Sequence, residues 1–128
     1  MKLSIIIPTL NEEDHIGRIL EHLFKQIENQ DVEVIVSDAG STDDTHVTAT
    51  RFPVIWIESK VKSRAIQMNM AANLAKGEIL YFVHADCLPP TSFYSDVIRE
   101  VESGFEIGGY RFKFKTNKKI LAINSWFT

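Results

Sequence analysis

Short, nearly unbroken apolar runs alternate along this chain with segments whose apolar residues recur every three or four positions. The first run, Leu3 to Ile7, is β-branched, which predicts a strand covered on both faces. Asn11 then reads as a helix cap, with Glu12, Glu13 and Asp14 in the first turn, where carboxylates favour the helix dipole. Ile16, Ile19, Leu20, Leu23, Phe24 and Ile27 follow as one apolar stripe. Val32 to Val36 predicts a second strand, leaving through Ser37-Asp38-Ala39-Gly40. Ser41 or Thr42 is placed to cap a short helix with Asp43 and Asp44 in its first turn, and Pro53 ends that unit. Val54 to Ile57 gives a third strand. A helix from about Ser63 to Lys76 stops at Gly77, read as the glycine just past a helix end. Ile79 to Val83 gives a fourth strand that runs into His84-Ala85-Asp86, and a helix with Phe93, Val97 and Val101 on one face follows. Tyr110, Phe112 and Phe114 alternate with Arg111, Lys113 and Lys115, the pattern of a strand near a sheet edge with one aromatic and one basic face. The tail from Lys118 to Phe127 reads as helical, without a stop signal.

Strand–helix alternation of this kind implies an α/β domain over residues 1–128, a mostly parallel sheet with helices on both faces. Ligands of such sheets bind beyond the carboxyl ends of the strands. The polar punctuation falls at those ends: Thr9, Asn11 and Glu12 after the first strand, Asp38, Gly40 and Ser41 after the second, His84 and Asp86 after the fourth. Converging loops would bring three acidic side chains together, a rim suited to a divalent cation or to sugar hydroxyls.

Composition narrows the setting. With 128 residues, 45% of them hydrophobic and 24% charged, the chain fits one globular domain and not a disordered one. The net charge of -3 averages an acidic first third against the basic run Arg111, Lys113, Lys115, Lys118 and Lys119. That run reads as a solvated edge or as a patch for phosphate or anionic lipid, hence peripheral contact with the inner face of a membrane. No nucleic-acid partner is expected, and assembly into a homo-oligomer stays open. Cys87 is the only cysteine, so no internal disulfide forms and a reducing compartment fits. The amino terminus meets Pro8 too soon for a secretory signal, and no apolar run nears the roughly 20 residues of a membrane helix, so the expectation is cytoplasmic.

Single residues carry two readings each. Asp86, fixed at a strand end, can coordinate Mg²⁺ or Mn²⁺, or can simply cap the turn into Pro89-Pro90. Asp38 can accept a base N–H or ribose hydroxyls, or can be an ordinary turn aspartate beside Gly40. Ser41 and Asp44 read as a capping arrangement, and Glu12 taken alone as a helix-start residue. Arg64, near Lys60 and Lys62, can grip a base or a phosphate. Asn69 and Asn73 share a helix face. His15, His22 and His46 lack zinc-site spacing, no phosphate-binding glycine loop is present, and Cys87 beside His84 has no third group to make it a nucleophile.

Taken together these segments resemble family 2 glycosyltransferases. Ser4-Ile5-Ile6-Ile7-Pro8-Thr9-Leu10-Asn11-Glu12-Glu13 is similar to the family's opening, and the run Glu33 to Thr45, centred on Asp38-Ala39-Gly40-Ser41-Thr42, to its second motif. Arg64-Ala65-Ile66-Gln67-Met68-Asn69 with Ala75-Lys76-Gly77-Glu78 is similar to the third, and His84-Ala85-Asp86 stands where the family carries Asp-x-Asp. The His-Ala-Asp variant and Gln-Met-Asn segment further resemble a bacterial subgroup of small stand-alone members. The resemblance implies a GT-A fold and transfer of sugar from a nucleotide-diphosphate sugar, most often a UDP-sugar, to an acceptor the sequence does not specify. It implies Thr9 and Asp38 at the base, Glu12 near the ribose, Arg64 near the base or diphosphate, and Asp86 on Mn²⁺ or Mg²⁺, with inversion by direct displacement. His84 replaces the first carboxylate of Asp-x-Asp, which implies weaker metal binding or a ribose contact instead. The family's catalytic base lies well beyond Asp-x-Asp and no acidic residue follows Glu106, so the base is expected beyond Thr128 and the acceptor half in a longer protein. The alternative is a module that holds a nucleotide sugar without turning it over. A nucleotidyltransferase would need a glycine-rich loop and an arginine after the first strand, and a phosphoacceptor receiver domain an acidic pair after the first strand, a phosphorylatable Asp after the third and a lysine after the fifth; neither layout is found.

Overall fold

The computed structural model describes residues 2–104, 111–112 and 121–122. Strands β1 (Leu3–Thr9), β2 (Val32–Asp38), β3 (Ile55–Glu58) and β4 (Ile79–Phe82) form one sheet in the order β3-β2-β1-β4, with every pair parallel. Helices α1 (Ile16–Gln26), α2 (Thr45–Ala49) and α3 (Arg64–Leu74) make the crossovers, and α4 (Phe93–Glu102) follows β4. The α/β class expected from the alternation is the one observed. Of the aromatic–basic strand and the tail, only β5 (Arg111–Phe112) and β6 (Leu121–Ala122) are described; they pair antiparallel, so residues 121–122 are strand where a helix was expected. The remainder of both segments lies outside the described residues.

The order of strands explains which face each helix takes. The chain steps from β1 to β2 to β3 in one direction and then returns past β1 to β4; right-handed crossovers therefore put α1 and α2 on one face and α3 on the other. Leu3, Ile5 and Ile7 accordingly pack with Val34 against Ile16, Ile19, Leu20 and Leu23 of α1, Ala49 of α2, and Phe93 and Val97 of α4. Ile6 and Ile35 point the other way, onto Met68 and Ala71 of α3. Ile5, Ile6 and Ile7 are all fully buried, as a strand covered on both faces requires. Each such side chain contributes about 1.5–3 kcal/mol on leaving water.

Pro8 occupies a central strand, where proline usually breaks a ladder. The Val83 amide donates to the Ile6 carbonyl at 2.9 Å, so Ile6 faces β4 and, two residues on, Pro8 faces the same side. β4 has its last paired residue at Phe82, opposite Ile6. Among the described residues no strand therefore pairs with Pro8 on that side, and the β1–β4 ladder stops beside it. The gap is the reversal point of the strand order, where α/β sheets admit ligands.

Several element boundaries differ from expectation. Asn11 does not cap α1: it adopts φ 53, and α1 begins only at Ile16, behind the turn that holds Glu12, Glu13 and Asp14. Neither Ser41 nor Thr42 caps α2, which starts at Thr45 after Asp44 and has no side-chain cap bond. Ser63 does cap α3, accepting from the Ile66 amide. The helix then ends at Leu74 with Ala75 already extended, so Gly77 is no left-handed cap. Its role is close approach: a Cβ there would stand 2.5 Å from the Ser4 nitrogen. The Gly77 amide donates to Ser4 Oγ (2.8 Å), while Ser4 Oγ and the Lys76 amide both donate to Glu33 Oε2 (2.6 Å each). The Ala75–Glu78 motif therefore locks α3 and β4 to the amino ends of β1 and β2.

Candidate functional site

Thr9 and Asp38 are not in loops but are the last residues of β1 and β2, paired in register. Thr9 Oγ1 donates to Asp38 Oδ1 at 2.6 Å, and both residues are buried, at 3% and 2% exposure. Asp38 also accepts from Ser41 Oγ on Oδ1 and from the Gly40 and Ser41 amides on Oδ2, at 3.0 and 2.7 Å. A carboxylate has about four acceptor positions, and here protein donors engage them all. Gly40 turns the chain back toward Asp38 at φ +85, which a Cβ would strain.

The loop after β1 is laced to the loop after β2. The Asn11 amide donates to Ser41 Oγ (2.8 Å), and Asn11 Oδ1 accepts from the Thr42 amide (2.8 Å). The Glu12 amide donates to Thr45 Oγ1 (2.9 Å), the Glu13 amide to Asp43 Oδ2 (3.2 Å), and the Asp44 amide to Glu13 Oε2 (3.3 Å). Much of the acidic character read as a ligand rim is thus spent on backbone amides. Glu12, half-buried, lies 3.0 Å from His15 Nδ1. Among the described residues no three His, Cys, Asp or Glu side chains gather to hold a metal. The expectation of an open three-carboxylate rim is revised accordingly: Asp38 is sequestered, Glu12 is engaged, and only Asp86 of the three is exposed.

The other half of the site follows β4. Burial, then the Arg64 charge, lowers the His84 pKa below its usual 6.5, with Asp86 opposing. Burial raises the Cys87 pKa, helped by the Asp86 charge and its hydrogen bond to the thiol, with Arg64 opposing. These mutual effects place Arg64, His84, Asp86 and Cys87 in one electrostatic neighbourhood, and they keep Cys87 a thiol at neutral pH. His22 of α1 donates from Nε2 to the Pro89 carbonyl at 2.6 Å, which fixes where the loop lands.

Gln67 ties α3, the helix that carries Arg64, to the ends of β1 and β2, and sequence reasoning gave it no role. It lies one turn beyond Arg64 on α3, is 5% exposed, and its Nε2 donates to the Thr9 and Ser37 carbonyls at 2.9 and 2.8 Å. The signal was a polar residue on the helix's buried face, between Ser63 and the apolar Met68 and Ala71. Asn69 and Asn73, whose spacing puts them on one helix face, are both exposed.

The donor set fits a hard divalent cation in part: Asp86 offers an exposed carboxylate, and His84, held neutral, offers imidazole rather than imidazolium. Two donors leave most coordination positions for phosphate oxygens and water.

A parallel α/β sheet admits ligands where its strand order reverses, here between β1 and β4. The family model for glycosyl transferase family 2 matches residues 4–124, and the chain belongs to that family. The glucosyl-3-phosphoglycerate synthase of Mycolicibacterium paratuberculosis is 31% identical over 99 residues, which is 69% of this chain and 29% of that protein. The structure of S. aureus TarS 1-349 in complex with UDP superimposes with TM-score 0.69 at 25% identity, covering 80% of this chain and 32% of TarS. The mannosyltransferase PcManGT from Pyrobaculum calidifontis, in complex with GDP-Man and Mn²⁺, gives TM-score 0.70 at 28% identity, over 77% of this chain and 31% of that one. The fold is GT-A. The chain spans less than a third of each of these three relatives. No helix among the described residues is long and apolar enough to cross a membrane.

Proposed function

We propose that this chain holds the donor for a glycosyl transfer, binding a nucleotide-diphosphate sugar of the UDP type where β1, β2 and β4 end. The observation that carries the reading is that helix α3 reaches both polar groups, Thr9–Asp38 at the ends of β1 and β2 through Gln67, and His84–Asp86 beyond β4 through the charge of Arg64. Thr9 and Asp38 receive the base. A ring N–H reaches Asp38 Oδ1 by replacing the rotatable Ser41 hydroxyl, so one hydrogen bond is exchanged for another and the fixed Gly40 and Ser41 amides stay. Glu12 stands toward the ribose, and Arg64 toward the diphosphate, whose charge it offsets. Asp86, with His84 beside it, would hold Mn²⁺ or Mg²⁺, and such a cation would supply charge neutralisation for the leaving nucleoside diphosphate. The acceptor hydroxyl must lose a proton, and an inverting displacement needs a carboxylate base for it. Asp38 is saturated by its own loop and Asp86 would be committed to the cation, so that base would come from outside this constellation.

Calorimetry with UDP, with and without Mn²⁺, tests the reading. Wild type is expected to bind UDP, more tightly with the metal. Asp86→Ala should remove the metal-dependent gain, about tenfold or more, while its unfolding transition stays within about 0.5 kcal/mol, as befits an exposed residue. Wild type that ignores UDP in both conditions overturns the proposal; an intact metal effect in Asp86→Ala overturns the assignment of the cation.

A further inference from the structure

Past Thr9 and Asp38 the strands β1 and β2 have no further paired rung, and the carbonyls at that end face into the space between them. The Thr9 carbonyl already accepts the Ala39 amide at 3.1 Å. The Gln67 amide group reaches in from α3 and gives one N–H to that carbonyl and the other to Ser37, one residue before Asp38. It therefore bridges both strands at their last rung, on the backbone of the very residues whose side chains meet at 2.6 Å. The group is 5% exposed and cannot exchange these partners for water. Its reach is particular: asparagine is one methylene short, and glutamate replaces two donors with acceptors facing two carbonyl oxygens.

We propose that Gln67 is a positioning residue for donor binding, a staple from α3 that sets the separation of Thr9 and Asp38 and thereby the shape of the base pocket. The inference rests on the donor-site reading above. Gln67 touches no part of the donor itself. It acts on the base end of the site alone, because Asp86 stands on the loop after β4, which the staple does not bond.

The test uses the whole chain and two probes, UDP and inorganic pyrophosphate, each with Mn²⁺. In Gln67→Met, which keeps the length and loses both donors, UDP affinity is expected to fall about tenfold while pyrophosphate affinity holds. Unchanged UDP affinity, or an equal loss for both probes, overturns the inference, the latter because it would mean general loosening. Wild type that fails to bind UDP instead removes the donor-site reading, and the inference with it. Gln67→Glu supplies an independent measurement should the methionine variant not fold. Its carboxylic acid can donate one of the two bonds, and its carboxylate can donate neither. Relative to wild type, its UDP affinity is expected to decline between about pH 5 and about pH 8; a pH profile parallel to wild type would overturn the assignment.

Discussion

Burying an ionised carboxylate costs several kcal/mol unless donors surround it. Asp38 meets that condition with two hydroxyls and two backbone amides, which tie residues 38–41 to one another. His84 has the opposite problem, a half-buried base beside a guanidinium. Burial first and Arg64 second push its pKa down, so the unfolded chain takes up the proton at a higher pH than the folded one does. Stability from this residue is therefore complete above about pH 6.5 and declines as pH falls through that value. Thermal melts of wild type and His84→Asn between neutral and mildly acidic pH should diverge in that sense, wild type losing more. Parallel curves would show that His84 carries no such linkage. At this scale the sequence was partly legible. The Asp-Ala-Gly-Ser and His-Ala-Asp segments announced polar residues at strand ends, but nothing in a linear pattern says that Asp38 is fully engaged by its own loop. Gln67 was illegible for a related reason: glutamine is a good helix former anywhere, and its burial depends on what lies under α3.

At the level of elements, the apolar stripe of α1 and the four parallel strands could be read directly, because a 3.6-residue period and β-branched runs report burial. The helix starts could not. Glu13 and Asp43 look like first-turn residues on propensity alone, yet in the structure the side chain of each receives an amide of the opposite loop. Tertiary hydrogen bonding across some thirty residues overrides a local preference. Gly77 teaches the same lesson. It reads as a helix stop, yet its constraint is the Ser4 backbone 2.5 Å from where a Cβ would sit. Gly77→Ala must shift β1 or the α3–β4 connection, and a loss of about 2–3 kcal/mol is expected, measurable as a lowered denaturant midpoint. UDP affinity below the transition should be unaltered, since the clash is at the amino ends of the strands and the site at their carboxyl ends. A neutral Gly77→Ala would show that the connection relaxes freely.

Across the whole molecule, the strand order reverses between β1 and β4, the place where sheets of this kind admit ligands, and two cores lie on either side of the sheet. Among the described residues the face with α1, α2 and α4 buries a large cluster, while α3 rests on a smaller one of Ile6, Ile35, Met68 and Ala71, flanked by the half-buried Ile57, Leu80 and Phe82. Helix α3 nevertheless carries Arg64 and Gln67, so the more thinly anchored layer is the one that reaches into the crevice. Pro8 has a consequence at this scale. A residue with an N–H in its place would hand β4 a spare donor beside Val83, and the sheet would tend to zip shut by one more rung. Pro8→Ala is thus expected to trade occupancy for robustness: a higher melting temperature with a weaker grip on UDP. Where a strand stops pairing is as much a part of this protein's equipment as any side chain at its mouth, and an imino acid keeps that mouth from healing.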